Sequence, residues 1–150
     1  MAPLRVLELY SGIGGMHQAL KESCTSAEVV AAVDVNTLAN EVYKHNFPST
    51  LLWAKTIEGI TLKEFDRLSF DMILMSPPCQ PFTRNELLQT LETCGFKYQE
   101  FLLSPTCLGI PNSRLRYFLI AKLHQEPFSF QAPGQVSLLV LLEFALFHGD

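Results

Sequence analysis

The chain has 150 residues, of which 48% are hydrophobic and 17% charged, and its formal net charge is −4. That length supports one sizeable core, and that composition excludes a mainly disordered chain. It also argues against a solitary nucleic-acid binder, because affinity for the phosphate backbone rests on clustered Lys and Arg.

The first half alternates strand-like and helix-like segments. Arg5–Tyr10 is a β-type run that ends in the glycine turn Ser11-Gly12-Ile13-Gly14-Gly15, and Met16–Glu22 follows as a helix. Val29–Val33 is a second β-branched run, closed by Asp34. Thr37–Asn46 reads as a helix with Leu38, Val42 and its aromatics on one side, and Pro48 stops it. Thr50–Ile57 is a weaker strand, and Leu62–Leu68 a helix capped by Thr61. Asp71–Met75 is near-continuously apolar, as a strand buried on both faces would be. This alternation predicts an α/β fold with a mainly parallel, Rossmann-like sheet.

The three prolines of Ser76–Phe82 predict an irregular loop. Asn85 is expected to cap a helix over Glu86–Thr93, which Gly95 ends. Tyr98–Leu103 and Tyr117–Leu123 are the last strands, flanking the loop Gly109–Arg116. A Pro- and Gln-rich linker, 125–135, leads to the apolar segment Val136–Phe147.

None of Cys24, Cys79, Cys94 and Cys107 forms a C-x-x-C pair, so neither a disulfide framework nor a metal site is expected. Taken alone, Cys24, Cys94 and Cys107 read as small buried hydrophobes. Arg5 sits inside an apolar run, unlike a leader peptide, and Val136–Phe147 is too short to span a bilayer and contains Glu143. The expected setting is the cytoplasm, with the nucleus as a second compartment, and no membrane attachment.

A strand, a glycine turn, a helix and a second strand ending in an acid make a nucleotide-type site. Glycines let the backbone approach a ligand closely, and Asp34 stands where a carboxylate accepts hydrogen bonds from ribose hydroxyls. The turn reads G-x-G-G, with His17 where a dinucleotide fingerprint places its third Gly, which disfavours an NAD-dependent oxidoreductase. Cys79 follows an apolar strand in a proline-stiffened loop, where open α/β sheets bind ligands. A nucleophilic thiol needs such preset geometry and a cation nearby; Arg114 and Arg116 are candidates.

Three ordered motifs carry a family resemblance. Pro77-Pro78-Cys79-Gln80-Pro81-Phe82 resembles the nucleophile motif of cytosine-5 methyltransferases, and Leu9-Tyr10-Ser11-Gly12-Ile13-Gly14-Gly15 is similar to their first cofactor motif. Gly109-Ile110-Pro111-Asn112-Ser113-Arg114-Leu115-Arg116 resembles their paired-arginine motif, with Asn112 in place of Gln. The detailed wording, including Lys55-Thr56-Ile57-Glu58-Gly59, is most similar to the branch that methylates cytosine 38 in the anticodon loop of aspartate tRNA. The resemblance implies S-adenosylmethionine as cofactor. Ile13, Gly14 and Gly15 would line its methionine end, Asp34 its ribose, Ile57 and Glu58 its adenine, and Ser76 would close the pocket. Cys79 would add to C6 of a flipped-out cytosine, with Arg114 and Arg116 orienting the base. Extruding a base is easier in a loop than in a duplex, which suits a tRNA.

The resemblance is incomplete. The family's fifth strand ends in Glu-Asn-Val, yet no Glu of this chain precedes Asn. The gap falls between Arg84 and Asn85, inside an expected catalytic domain over 1–135; an atypical tail, 136–150, stands where the family has its target-recognition region. Much of the RNA-binding surface would belong to that absent region, which accounts for the acidic charge. The lost strand forces either a hole in the sheet or direct antiparallel pairing of Asp71–Met75 with Tyr117–Leu123. Three functional readings follow: a methyltransferase by ancestry with little activity, a non-catalytic cofactor- or partner-binding remnant, and, least favoured, an oxidoreductase. The tail could cover an exposed edge, but an unburied apolar run is foremost an aggregation liability.

Overall fold

The computed structural model describes residues 2–77, 81–104, 106, 109 and 111–123. Cys79, Cys107, the 125–135 linker and the 136–150 tail lie outside the described residues.

Among the described residues there are six strands and four α-helices: β1 Leu4–Leu9, α1 Gly15–Glu22, β2 Ala27–Val33, α2 Thr37–Asn46, β3 Leu51–Trp53, α3 Leu62–Leu68, β4 Met72–Met75, α4 Pro81–Thr93, β5 Lys97–Leu103 and β6 Arg116–Lys122. They form one sheet of order β3-β2-β1-β4-β6-β5. The pairs among β3, β2, β1 and β4 are parallel, whereas β6 is antiparallel to both β4 and β5. This is the expected α/β class. Of the two outcomes expected at the gap, the sheet takes direct pairing: Met72, Ile73, Leu74 and Met75 face Lys122, Ala121, Ile120 and Leu119.

Strand alternation sends the apolar side chains to two covered faces. Val6, Leu74, Phe118 and Ile120 pack with Met16, Ala19 and Leu20 of α1 on one side. Leu7, Leu9, Ile73, Met75 and Leu119 meet Leu68 of α3 and Leu88 and Leu91 of α4 on the other. All four residues of β4 are buried, which explains a run with no polar alternation.

Several local expectations need correction. Pro81 opens α4 instead of lying in a loop, since the first helical position needs no N–H. Asn85 therefore lies within the helix, and the expected 84/85 junction falls inside an unbroken α4. Only Leu51–Trp53 of the weak third strand forms; Thr56 caps a 3-10 turn over Ile57–Gly59, its side chain accepting from the Gly59 N–H. On α2, Leu38 is 74% exposed and Val42 is also exposed, while Asn40 and Tyr43 are buried. Buried polar partners decide that face: Asn40 Nδ2 donates to the Asp34 carbonyl and the Tyr43 hydroxyl donates to Glu8. Cys24 and Cys94 are exposed, not core residues, because each sits in the turn that ends a helix. Other details hold. Thr61 and Glu64 form a reciprocal capping box on α3, and Gly95, at φ +83°, closes α4.

Candidate cofactor crevice

Val33, Leu9 and Met75 occupy one register row across β2, β1 and β4. The residues that follow them, Asp34, Tyr10 and Ser76, thus leave the sheet side by side at the strands' C-terminal ends. Trp53 of β3 pairs with Val33, and the 3-10 turn bearing Ile57 and Glu58 begins four residues later. Because β6 is antiparallel and Leu119 faces Met75, the chain just before it, with Arg114 and Arg116, comes from the same end. One rim therefore gathers Ser11–Gly15, Asp34, Ile57, Glu58, Ser76, Arg114 and Arg116. This is the crevice where open α/β sheets hold ligands.

The glycine turn is tied down at both ends. The Ser11 N–H donates to the Val33 carbonyl at 3.1 Å, and the Gly14 N–H returns to the Ser11 carbonyl at 2.9 Å. The Gly12 N–H donates to Asp34 Oδ2 at 2.8 Å, while Asp34 Oδ1 accepts from the Asn36 N–H at 2.8 Å. Each oxygen keeps acceptor capacity for further donors, so the same carboxylate can brace the turn and receive hydroxyls.

Gly14 adopts φ +96°, a left-handed conformation that side chains resist. A Cβ there would lie 2.5 Å from Phe47 Cε2, so the turn rests directly on that ring. Ser11 Oγ is buried without a hydrogen-bond partner. An orphaned hydroxyl beside a glycine cradle and an acid suits a polar ligand with hydroxyl and amine groups. Across the rim, burial and then the Glu58 carboxylate raise the Tyr10 hydroxyl above its ordinary pKa.

Beneath the turn lies a polar cluster that the sequence reading missed. Glu8, 1% exposed, projects from the middle of β1. The Tyr43 hydroxyl donates to Glu8 Oε2 at 2.7 Å, and His17 Nδ1 lies 2.8 Å from the same hydroxyl. His17 stacks on Phe47 with ring centroids 3.7 Å apart. Burial drives Glu8 up to about 8, offset in part by Tyr43 and the His17 backbone N–H and reinforced by Asp34. Burial, followed by the Lys21 charge, takes His17 down to about 4. The signal for Glu8 was an acid inside the apolar run Arg5–Tyr10, where a charge has no ordinary reason to be.

Arg84 lies on α4 facing β5, where its guanidinium grips Glu100 at 2.6 Å through both Nε and Nη2, and the Tyr117 hydroxyl donates to Glu100 at 2.7 Å. Among the described residues, no group of three His, Cys, Asp or Glu could hold a metal ion, and no helix is long and apolar enough to cross a membrane.

The fold is a Rossmann-like α/β domain with a crevice at the ends of β2, β1 and β4. Residues 4–84 match the C-5 cytosine-specific DNA methylase family, and the chain belongs to it. It is 61% identical to a bovine (Bos taurus) protein named tRNA (cytosine(38)-C(5))-methyltransferase, over 190 positions covering 96% of this chain and 48% of that protein. The human protein of the same name is 60% identical over the same shares. The chain thus spans about half the length of the curated relatives it matches. An aligned span of 190 positions against 150 residues also means that the relatives carry residues with no counterpart here. Among solved structures, the S. pombe Dnmt2 methyltransferase superposes with a TM-score of 0.68 at 33% identity, covering 83% of this chain and 50% of that one. A Spodoptera frugiperda DNMT2 variant gives a TM-score of 0.69 at 37% identity, over 85% and 52%.

Proposed function

We propose that this chain is the cofactor-binding half of a tRNA cytosine-5 methyltransferase, able to hold S-adenosylmethionine but far slower in methyl transfer than a complete enzyme. The observation that carries the reading is the 2.8 Å bond from the Gly12 N–H to Asp34, which locks the glycine turn after β1 to the acid at the end of β2, with Ser76 on the turn's other side at the end of β4. Ile13, Gly14 and Gly15 would take the methionine end of the cofactor, Asp34 the ribose, and Ile57 with Glu58 the adenine. Ser76 would close that pocket. The bound cofactor supplies an electrophilic methyl group.

Cys79 is assigned as nucleophile from its sequence motif. Its thiolate would add to C6 of a cytosine, leaving C5 electron-rich enough to take the methyl group; loss of the C5 proton to water, with expulsion of the Cys79 thiolate from C6, would then restore the ring and release the enzyme. Arg114 and Arg116 approach from the same end of the sheet and would orient the base. Aspartate tRNA is the proposed substrate, in keeping with the names of the relatives and with the ease of extruding a loop base. A cytoplasmic location, with some nuclear protein, accords with that substrate.

The absence of any Glu followed by Asn favours a second reading, a remnant that binds cofactor or partner without catalysis. Calorimetric binding of S-adenosylhomocysteine, run beside radiolabelled methyl transfer to aspartate tRNA, separates the two. Binding with slow transfer that Cys79→Ala abolishes supports the enzyme, and binding without transfer supports the remnant. Absence of binding, with Asp34→Ala no different from the parent, overturns both.

A further inference from the structure

We propose that Glu8 is a positioning residue for the glycine turn, which it holds, as the neutral acid, through Tyr43, His17 and Phe47. The inference rests on the methyltransferase reading only for the identity of the ligand.

Geometry sets the charge state. Glu8 is enclosed between Ala32 and Leu74, its register partners on β2 and β4, both fully buried. The polar groups that face it are Tyr43 from α2, His17 from α1 and Asp34 from the loop after β2. None is a cation, since burial keeps His17 neutral and Lys21 stands over the Phe47 ring. Glu8 Oε1 is buried with no hydrogen-bond partner. A carboxylate in that setting would carry a bare anionic oxygen near a second negative charge, whereas a neutral acid leaves only an uncharged hydroxyl unpaired.

The Tyr43 hydroxyl donates to Glu8 Oε2, the carbonyl oxygen of the neutral acid, and His17 Nδ1 donates to the same hydroxyl oxygen. Loss of the acid proton leaves Oε1 as a buried anion without a partner, and the Tyr43 and His17 rings must turn to offer it a donor or admit water. The rings that would shift are those on which the turn rests, because the Cβ position of Gly14 lies 3.1 Å from Tyr43 Cδ2 and 2.5 Å from Phe47 Cε2. The raised pKa of Glu8, about 8, agrees with this state and places the loss of grip just above neutral pH.

The test uses the full chain, its Glu8→Gln variant, whose amide mimics the neutral acid, and Tyr43→Phe. Infrared spectra of the parent at pH 7 should show a buried protonated carboxyl that titrates near 8 and is missing from Glu8→Gln. Amide exchange at Gly12, Gly14 and Gly15, corrected for intrinsic base catalysis, should accelerate on the order of tenfold per pH unit above that titration in the parent. It should stay flat in Glu8→Gln and already be fast at pH 6 in Tyr43→Phe. S-adenosylhomocysteine affinity should follow the same profiles. An exchange profile that bends equally in parent and Glu8→Gln, or no carboxyl band assignable to Glu8, overturns the proposal. No ligand binding at any pH, with the exchange profiles as expected, removes the cofactor reading and leaves the role of Glu8 standing. Should Glu8→Gln fail to fold, the titrating band of the parent and its coincidence with turn exchange decide alone.

Discussion

Met75 and Leu119 are register partners in adjacent antiparallel strands, and both side chains are fully buried. Their pairing closes the sheet at the point where the family's missing strand was expected. Everything beyond it, β6 and β5 with the Arg84–Glu100 pair above them, depends on that seam. Leu119→Ala is expected to cost about 2–5 kcal/mol, the range for a large-to-small change at a buried site. Urea unfolding checks this; a loss below about 1 kcal/mol would mean that the seam can collapse around the cavity.

A methyl group at Gly14 meets two obstacles. The left-handed backbone costs an L residue about 1–2 kcal/mol, and overpacking against Phe47 adds roughly 1–3 kcal/mol. Gly14→Ala should therefore lower the midpoint of thermal unfolding and weaken S-adenosylhomocysteine binding more than the stability loss alone would. Adding Phe47→Ala should recover part of the stability, since it removes the clash at 2.5 Å but not the strain at φ +96°. Full recovery in the double variant would show that backbone strain is negligible there.

How far such features could be read in advance depends on what drives each element. Met72–Met75 was legible because burial on both faces leaves no polar alternation. The Ser11–Gly15 turn and Asp34 were legible because close backbone approach and an acid after the second strand are local requirements. The buried face of α2 was not, since it is chosen by Glu8, distant in sequence, which the Tyr43 hydroxyl satisfies, and by the Asp34 carbonyl, which Asn40 satisfies. Pro81 was misjudged because a proline both ends and begins regular structure, and only the chain that follows shows which. Ile57 looked like strand by composition, but the Thr56 side chain takes the Gly59 N–H and turns the backbone into a helical cap.

Stability should vary with pH in a way that Glu8 and His17 dictate. For Glu8, raised from 4.5 to about 8, the folded state binds the extra proton, so its contribution is complete below pH 4.5 and lost as pH rises through about 8. For His17, lowered from 6.5 to about 4, the contribution is present above pH 6.5 and lost as pH falls towards 4. The two slopes oppose one another between 4.5 and 6.5, so this pair alone gives a plateau there with a decline on either side. Glu8→Gln needs no proton to fold and should be more stable than the parent at pH 7–8, by about 2–4 kcal/mol. Denaturant titrations at pH 5, 7 and 8.5 measure the difference. A variant less stable than the parent at pH 8 would show that Glu8 is buried as a paired anion.

Methyl transfer to aspartate tRNA should be far slower than with a full-length relative, even at saturating cofactor. Two losses act independently. No Glu of the chain precedes Asn, so the carboxyl group that the family directs at N3 of cytosine is absent, and general-acid assistance of this kind is worth about 10²–10⁴-fold. The chain also carries a net charge of −4, so few phosphate contacts are available to hold the tRNA. Weakened binding shows as a rise in KM that falls as salt is lowered, whereas the missing acid shows in kcat at any salt. Single-turnover rates with radiolabelled S-adenosylmethionine, measured at two ionic strengths and compared with Cys79→Ala, separate these terms. A kcat near that of a complete enzyme, abolished by the cysteine substitution, would show that another carboxylate has taken over at N3. Glu58, on the rim of the crevice, would be the first to replace by Gln.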